Sequence, residues 1–382
     1  MASAHAALFE GLPTPRSGAL TVYVFGPGFG ESQVVSLPDG RWMVVDCCVL
    51  DGVNLPLELL RHFGIDTVDL LAVTHADLDH YQGLPELLAG IQVRRLWRYP
   101  GFQTTRELLI LLEKTEHDPR FARLLRAHEA MLPLMTSARG DEAAYGHRWW
   151  PRDAPYRVTC LAPCSTEKSY EFTAMGELIK RLQRGSALST EEKRQLMGRA
   201  NRLSLALVIW WNDLGILLGG DVESEATADR GWKGILANLR EDEDLEDRGP
   251  HLIRGLRLVK ASHHGSRGAF CEEAWLEHGA GGSLELVVVT RFNRGENPPP
   301  HPSGLEPLRS FAQKLALTSP PRTGWSVVTD AGWIQVDHPS GPGAAACVAV
   351  TLAPASAADI ALSAQAGLFK SAAASTPPPS AG

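Results

Sequence analysis

The stretch LLAVTHADLDHYQGL, Leu70 to Leu84, constrains the chain more than any other. A strand-sized apolar run ends in His75-Ala-Asp77-Leu-Asp79-His80, two imidazoles and two carboxylates within six consecutive residues. Unpaired carboxylates are costly in a core. The turn is therefore either a solvated polar loop or a place where side chains converge on a metal, and a short motif alone does not decide. Other apolar runs end in the same way. LLGGD closes on Asp221, LVKASHHGS carries His263 and His264, and TRFNRGENPPPHP carries Asn293, Asn297 and His301. Strand ends are where α/β proteins gather their chemistry, and four such ends carrying ligand-type residues favour the metal reading.

The 382 residues, 44% hydrophobic and 21% charged, suffice for one large domain or two smaller ones. The longest apolar runs, such as LALVIWW at Leu205 to Trp211, are strand-sized and fall well short of the roughly 18 residues of a membrane span. The first residues lack the basic start and apolar stretch of a secretory signal, so a soluble, cytoplasmic protein without a membrane partner is expected. Six scattered cysteines show no paired CxxC spacing, which predicts reduced, buried thiols. A net charge of -7 weighs mildly against a surface that coats nucleic acid.

Short β-rich runs at Thr21 to Phe25, Gln33 to Leu37 and Trp42 to Val45 open the chain as a meander. Helical patterns then appear at about 104–139 and 170–199, between further strand runs, and read as insertions. The block EDEDLED predicts an exposed loop, and the Ala/Ser/Pro-rich residues 353–382 a disordered tail. Residues 1–20 read as an N-terminal extension.

In order along the chain, GFGES with MVVDCC, THADLDHYQGL, NRLSLALVI, LLGGD, VKASHHGS, NPPPHP and GWSVVTDAGWIQV span about Thr21 to Val336. Together they resemble the metallo-β-lactamase superfamily, and within it the hydrolase domain of the DNA-uptake channel protein ComEC and its stand-alone relatives. The channel-forming segments of ComEC are absent, so transport is not carried over. The resemblance implies an α/β fold, a four-layer αβ/βα sandwich over 21–352 with helical insertions, and two divalent metal ions, Mn or Zn, at one edge. His75 and Asp77 would hold the first ion, Asp79, His80 and His264 the second, and Asp221 would bridge them, with His263 beside His264. Asp77 stands where many members have histidine. A third histidine for the first ion, expected near VTCLAP, is missing, and Ala162 stands there. An oxygen-rich first site leans toward Mn²⁺, although Zn²⁺ also accepts carboxylate oxygen.

The implied activity is that of a metallohydrolase, a phosphodiesterase or nuclease using a dinuclear-metal-activated hydroxide. Asp79 would orient the hydroxide, and His263 or His301 would stabilise the oxyanion or protonate the leaving group. His301 reads equally as a turn residue before Pro302. Asp46 is expected to hold a ligand histidine in place, and Cys47 and Cys48 to be packing residues. His117, His128 and His147, in the helical insertion, read as exposed polar side chains, with a substitute metal ligand as the lesser alternative.

A nucleic acid or nucleotide is the expected substrate. VRRLWR, with Trp97 for base stacking, and Lys180, Arg181, Arg184, Lys193, Arg194, Arg199 and Arg202 form a candidate backbone track. The competing reading is a salt-bridged helix face, slightly favoured because Glu191 and Glu192 are interspersed. The alternatives are hydrolysis of a small phosphoester, lactone or thioester, or a non-catalytic metal-containing subunit whose insertions bind a protein partner.

Overall fold

The computed structural model describes residues 6–9, 11–116, 118–212, 214–224, 227–242, 253, 255–279, 284–292, 299–318, 333–335, 347–353, 358–362 and 367–371. The quoted Asn293, Asn297 and His117, and all but the first two residues of EDEDLED, lie outside them.

The meander predicted at the start forms β1 (Leu20–Phe25), β2 (Ser32–Ser36) and β3 (Trp42–Val45), paired antiparallel in sequence order. The chain then crosses over through helix α1 (Leu55–His62) to β4 (Leu70–Val73), which lies parallel to β3. Asn54 starts that helix, its side chain accepting the N–H of Leu57. A short helix α2 (Leu78–Tyr81) and then α3 (Leu84–Gly90) lead to β5 (Leu96–Arg98) and later β6 (Gly140–Glu142). The second sheet is built from β7 (Arg148–Trp149), β8 (Tyr156–Cys160), β9 (Leu207–Trp211), β10 (Leu214–Leu218), β11 (Leu256–Lys260), β12 (Leu286–Val289), β13 (Lys314–Leu317) and β14 (Trp333–Gln335). The chain closes with β15 (Cys347–Leu352), β16 (Asp359–Leu362) and β17 (Gly367–Ser371).

Both sheets are mixed, with strand orders β6-β5-β4-β3-β2-β1-β15-β16 and β7-β8-β9-β10-β11-β12-β13-β17-β14. Strands β16 and β17 lie within 353–382, the stretch whose composition predicts a disordered tail; β16 is an edge strand of the first sheet, and β17 pairs between β13 and β14 in the second. The period of two along each strand explains the layering. Val158, Leu207, Ile209, Ile216, Leu258 and Leu286 share one core with the first sheet. Their neighbours Val208, Leu217, Val259 and Val287 belong to a second core, with helices α8 (Gly231–Glu241), α9 (Glu272–Gly279) and α10 (Pro302–Phe311). Sheet packs on sheet, and helices cover the outer faces: a four-layer α/β sandwich.

The two helical insertions form, slightly displaced from the predicted spans, as α4 (Phe102–Glu116) and α5 (Pro119–Met135), then α6 (Ser165–Gln183) and α7 (Thr190–Arg202). Asp118 caps α5, and Ser189 with Glu192 forms a capping box on α7. His128 is not a surface residue: it is fully buried, stacked on Phe102 at 3.9 Å between ring centroids, its Nε2 3.1 Å from the Phe102 carbonyl. Burial, with Arg98 nearby, lowers its pKa to about 3, so it packs as a neutral ring. His147 is half-buried, edge-on to Trp97 at 4.8 Å.

Candidate metal centre

The site is assembled by strand ends from both sheets. Beyond β4 the chain gives Thr74 and His75, and helix α2 then carries Asp79 and His80. The loop after β10 carries Asp221, and a single 3-10 turn after β11 (Ser262–Gly265) carries His263 and His264. Two glycines let these segments meet. Gly30 has φ +91, and a Cβ there would lie 2.7 Å from the Asp79 carbonyl; Gly220 has φ +53, and its Cβ would lie 2.2 Å from the Leu205 carbonyl. His263 and His264 themselves adopt left-handed backbone, φ 45 and 53, a conformation retained where surrounding structure enforces it.

Donor atoms of His75, His80 and Asp221 lie within 4.8 Å of one another, as do those of Asp79, His80 and His264. All five residues are buried. The His80 Nε2 stands 3.4 Å from Asp79 Oδ2 and 3.6 Å from Asp221 Oδ2, and the His264 Nε2 3.3 Å from Asp79 Oδ2. His75 Nε2, His80 Nε2 and Asp221 Oδ1 are buried and make no hydrogen bond. Orphaned donors of this kind call for an explanation, and a divalent cation supplies one, since its ligands are neutral imidazole and ionised carboxylate.

The far side of each imidazole is held. Asp46 receives His80 Nδ1 at 2.6 Å while also accepting the Thr74 N–H and hydroxyl. Thr74 and Ser204 hydroxyls lie 3.0 and 3.4 Å from His75 Nδ1. Glu31 faces His264 Nδ1 at 3.3 Å, accepts from Thr290 and is paired with the fully buried Lys260. Carboxylates behind ligand histidines fix ring orientation and raise basicity. Burial alone would lower His80, but Asp79, Asp46 and Asp221 outweigh it and hold the ring protonated well above its ordinary value. Burial likewise opposes ionisation of Asp79 and Asp221, yet His80 and the other imidazoles hold both below the usual carboxylate range. His75, desolvated and beside His80, is lowered to about 3.

Asp77 is in neither group. Its Oδ1 accepts the Leu78 N–H at 2.6 Å, capping α2, and burial beside Asp79 pushes it up to about 7. His263 lies at the rim, 27% exposed, with Nε2 4.0 Å from Asp221 Oδ2 and Nδ1 2.9 Å from Glu223. His301 occupies the position before α10 and, among the described residues, joins neither group. Among the described residues no candidate metal group draws a donor from the neighbourhood of Ala162; the Cys160 thiol donates to the Ala162 carbonyl. None of the six cysteines forms a disulfide, all are buried, and burial pushes Cys48 up to about 12. Glu31, Glu223, Lys260, Ser204 and Thr290 were not singled out in the sequence. Glu31 lies inside GFGES, and its position directly after a Gly-Phe-Gly turn was the available signal.

Most of the candidate nucleic-acid track among the described residues is buried or already ion-paired. Trp97 and Arg98 are fully buried on the inner strand β5, Arg98 against Phe102 of α4 and Trp97 against His147. On α6 and α7, Lys180 pairs with Glu177, Arg181 with Glu192, Lys193 with Glu116, and Arg199 and Arg202 with Glu171. These are the salt bridges of the competing reading; the side chain of Arg194 lies outside the described residues. No helix among the described residues is long and apolar enough to cross a membrane.

Fold and site thus define an α/β sandwich with a buried histidine–carboxylate centre at one sheet edge. No family model and no curated protein matches the chain. Solved structures align with it at low identity. The metallo-β-lactamase fold protein YhfI from Bacillus subtilis is 10% identical over 77% of this chain and 93% of that one, with a TM-score of 0.39. A diphosphatase from the PhnP family is 11% identical over 72% and 86%, with a TM-score of 0.34. An archaeal metallo-β-lactamase superfamily protein from Sulfolobus tokodaii is 14% identical over 61% and 77%, with a TM-score of 0.30.

Proposed function

We propose that the protein is a metallohydrolase of the metallo-β-lactamase superfamily, one hydrolase domain over 21–352, which cleaves a phosphodiester. The observation that carries this reading is the convergence of His75, Asp79, His80, Asp221 and His264, with three of their donor atoms buried and unbonded. The ordered motifs add the superfamily, and their ComEC-like form adds the phosphodiester. Two overlapping donor groups that share His80 suit two divalent ions, and three imidazoles among the donors admit Zn²⁺ as readily as Mn²⁺.

When bound, such ions supply Lewis acidity toward a phosphoryl oxygen and toward water. The protein's own residues do the rest. Asp46 and Glu31 aim His80 and His264 into the centre, and Asp79 and Asp221 balance its positive charge. Burial opposes a charge on His263, but Asp221 and Glu223 outweigh it and push this histidine up to about 9. A protonated Nε2 at the rim can donate to the leaving oxygen. Asp77 and His301 are retained as auxiliary groups, Asp77 as a further ligand to the first ion and His301 as a second donor.

The test joins metal analysis to hydrolysis of bis(p-nitrophenyl) phosphate, single-stranded and duplex DNA and RNA, after reconstitution with Mn²⁺ or Zn²⁺. Metal bound by the wild type and lost in Asp221→Ala is the expected result, with turnover of the small diester at least. Unchanged metal content in that variant overturns the centre, and no turnover of any diester overturns the phosphodiesterase.

A further inference from the structure

Beside the centre lies a cavity that the proposed chemistry does not use. Its volume is about 60 Å³, several times the roughly 10–15 Å³ that admits one water, and its walls are almost wholly apolar. Ala76, the residue between His75 and Asp77, forms one wall, and Tyr99 at the end of β5 stands beside it. All four insertion helices supply the remainder, among them Leu109, Phe121, Met175 and Ala200. Helix α7 borders cavity and centre together: Ala200 faces the cavity, while the next residue, Asn201, reaches to 3.4 Å from His263 Nε2. The charged residues at this site, Glu171 and Arg199, are paired with each other. Cavities under α8 and α9 and beside Pro163 are of about 10 Å³ each, no more than one water, and a larger one of about 400 Å³ between α1 and α3 is an open, half-polar surface hollow away from the centre.

We propose that this cavity receives an apolar group of the substrate, a short alkyl chain or a single aromatic ring carried by the ester cleaved at the adjoining centre. Water is a poor occupant, because it needs two to four polar partners and the walls offer few. The group must be small, since the space is a few carbons deep, and it must be joined to the reacting ester, since the cavity wall and the ligands belong to one turn. The insertions thereby gain a role as the specificity element. This assignment rests on the metallohydrolase reading for its second half only; occupancy by a hydrocarbon does not require turnover.

Two measurements separate the halves. Toluene serves as the probe for occupancy: it should raise the Tm of the wild-type protein in a concentration-dependent way, and A200F, which fills the space, should abolish the rise. A200L, a smaller filling, should weaken it and guards against misfolding of the larger variant. No rise with wild type, or an equal rise in both variants, overturns the cavity as a binding site. For substrate choice, p-nitrophenyl phosphodiesters with a methyl or a butyl second group are compared at the same metal loading. Wild type should favour butyl by about tenfold or more in kcat/KM, the scale of added methylenes in an apolar pocket, and A200F should bring the ratio near one. A wild-type ratio near one, or a ratio that A200F leaves intact, overturns the substrate assignment. Absence of turnover with either diester overturns both the phosphodiesterase and the substrate assignment, while the toluene result still decides the cavity.

Discussion

Asp46 and Glu31 do similar geometric work behind two imidazoles, but their surroundings predict different failures. Besides His80, the Asp46 carboxylate takes its hydrogen bonds from the neutral N–H and hydroxyl of Thr74, so Asp46→Asn should fold and lose about 10–100-fold in metal affinity, read by calorimetric titration. Glu31 also neutralises Lys260, which has no exposed surface. Glu31→Gln leaves that ammonium buried without its counter-charge, and a loss of about 3–5 kcal/mol in denaturant-derived stability is expected. The ligand types at the centre were legible because imidazoles and carboxylates stand out after apolar runs. Glu31 was not, because nothing in a local pattern reports a partner more than two hundred residues away. Asp77 shows the converse: its spacing matches a ligand, but a carboxylate immediately before a helix serves equally as its cap, and spacing does not distinguish the two roles.

At the scale of elements, the strands were readable from short β-rich apolar runs between turn residues, and both insertions from their helical period. Which face of an insertion is dry was not readable, since that depends on what packs against it. His128, Trp97 and Arg98 all look like surface groups in sequence and all are buried: His128 on α5 stacks on Phe102 of α4, and the Arg98 guanidinium lies 4.0 and 4.3 Å from the Tyr99 and Phe102 ring centroids. The contact between α6 and α7 rests on Glu171, 1% exposed, which takes Arg199 and Arg202 from α7 and Arg230 from the start of α8. Glu171→Ala should loosen α7 from α6, costing about 1–3 kcal/mol and accelerating amide exchange along α7 more than along β4. At the turn into Asp221, Gly220→Ala combines a left-handed φ with a backbone clash and should cost more than about 1 kcal/mol in unfolding free energy.

For the whole molecule, proton and metal compete. In the metal-free protein His80 sits above its ordinary value, so its contribution to stability is complete below about 6.5 and is lost as pH rises through the raised folded value. Asp79 and Asp221 sit below theirs, so their contribution is present above about 4 and is lost as pH falls through the depressed folded values. His75 and His128, both lowered to about 3, lose stability as pH falls below about 6.5, so the metal-free protein should have its highest Tm near about 6.5, above which the His80 contribution begins to be lost. Binding a divalent ion expels the His80 proton, so the Tm gain on adding metal should grow as pH rises. Melting curves across pH with and without chelator check both signs, and calorimetry in buffers of different ionisation enthalpy reads the released proton directly.

The centre draws its donors from both layers: His75, Asp79 and His80 hang from the first sheet, Asp221 and His264 from the second. An ion seated there is then a rivet between two plates. Unlike a disulfide it would hold the folded chain only, since the unfolded chain no longer presents the assembled donors. Pulled mechanically from residues in opposite sheets, the loaded protein should resist to a higher rupture force than the stripped one. Pulled within a single sheet, the two should part alike.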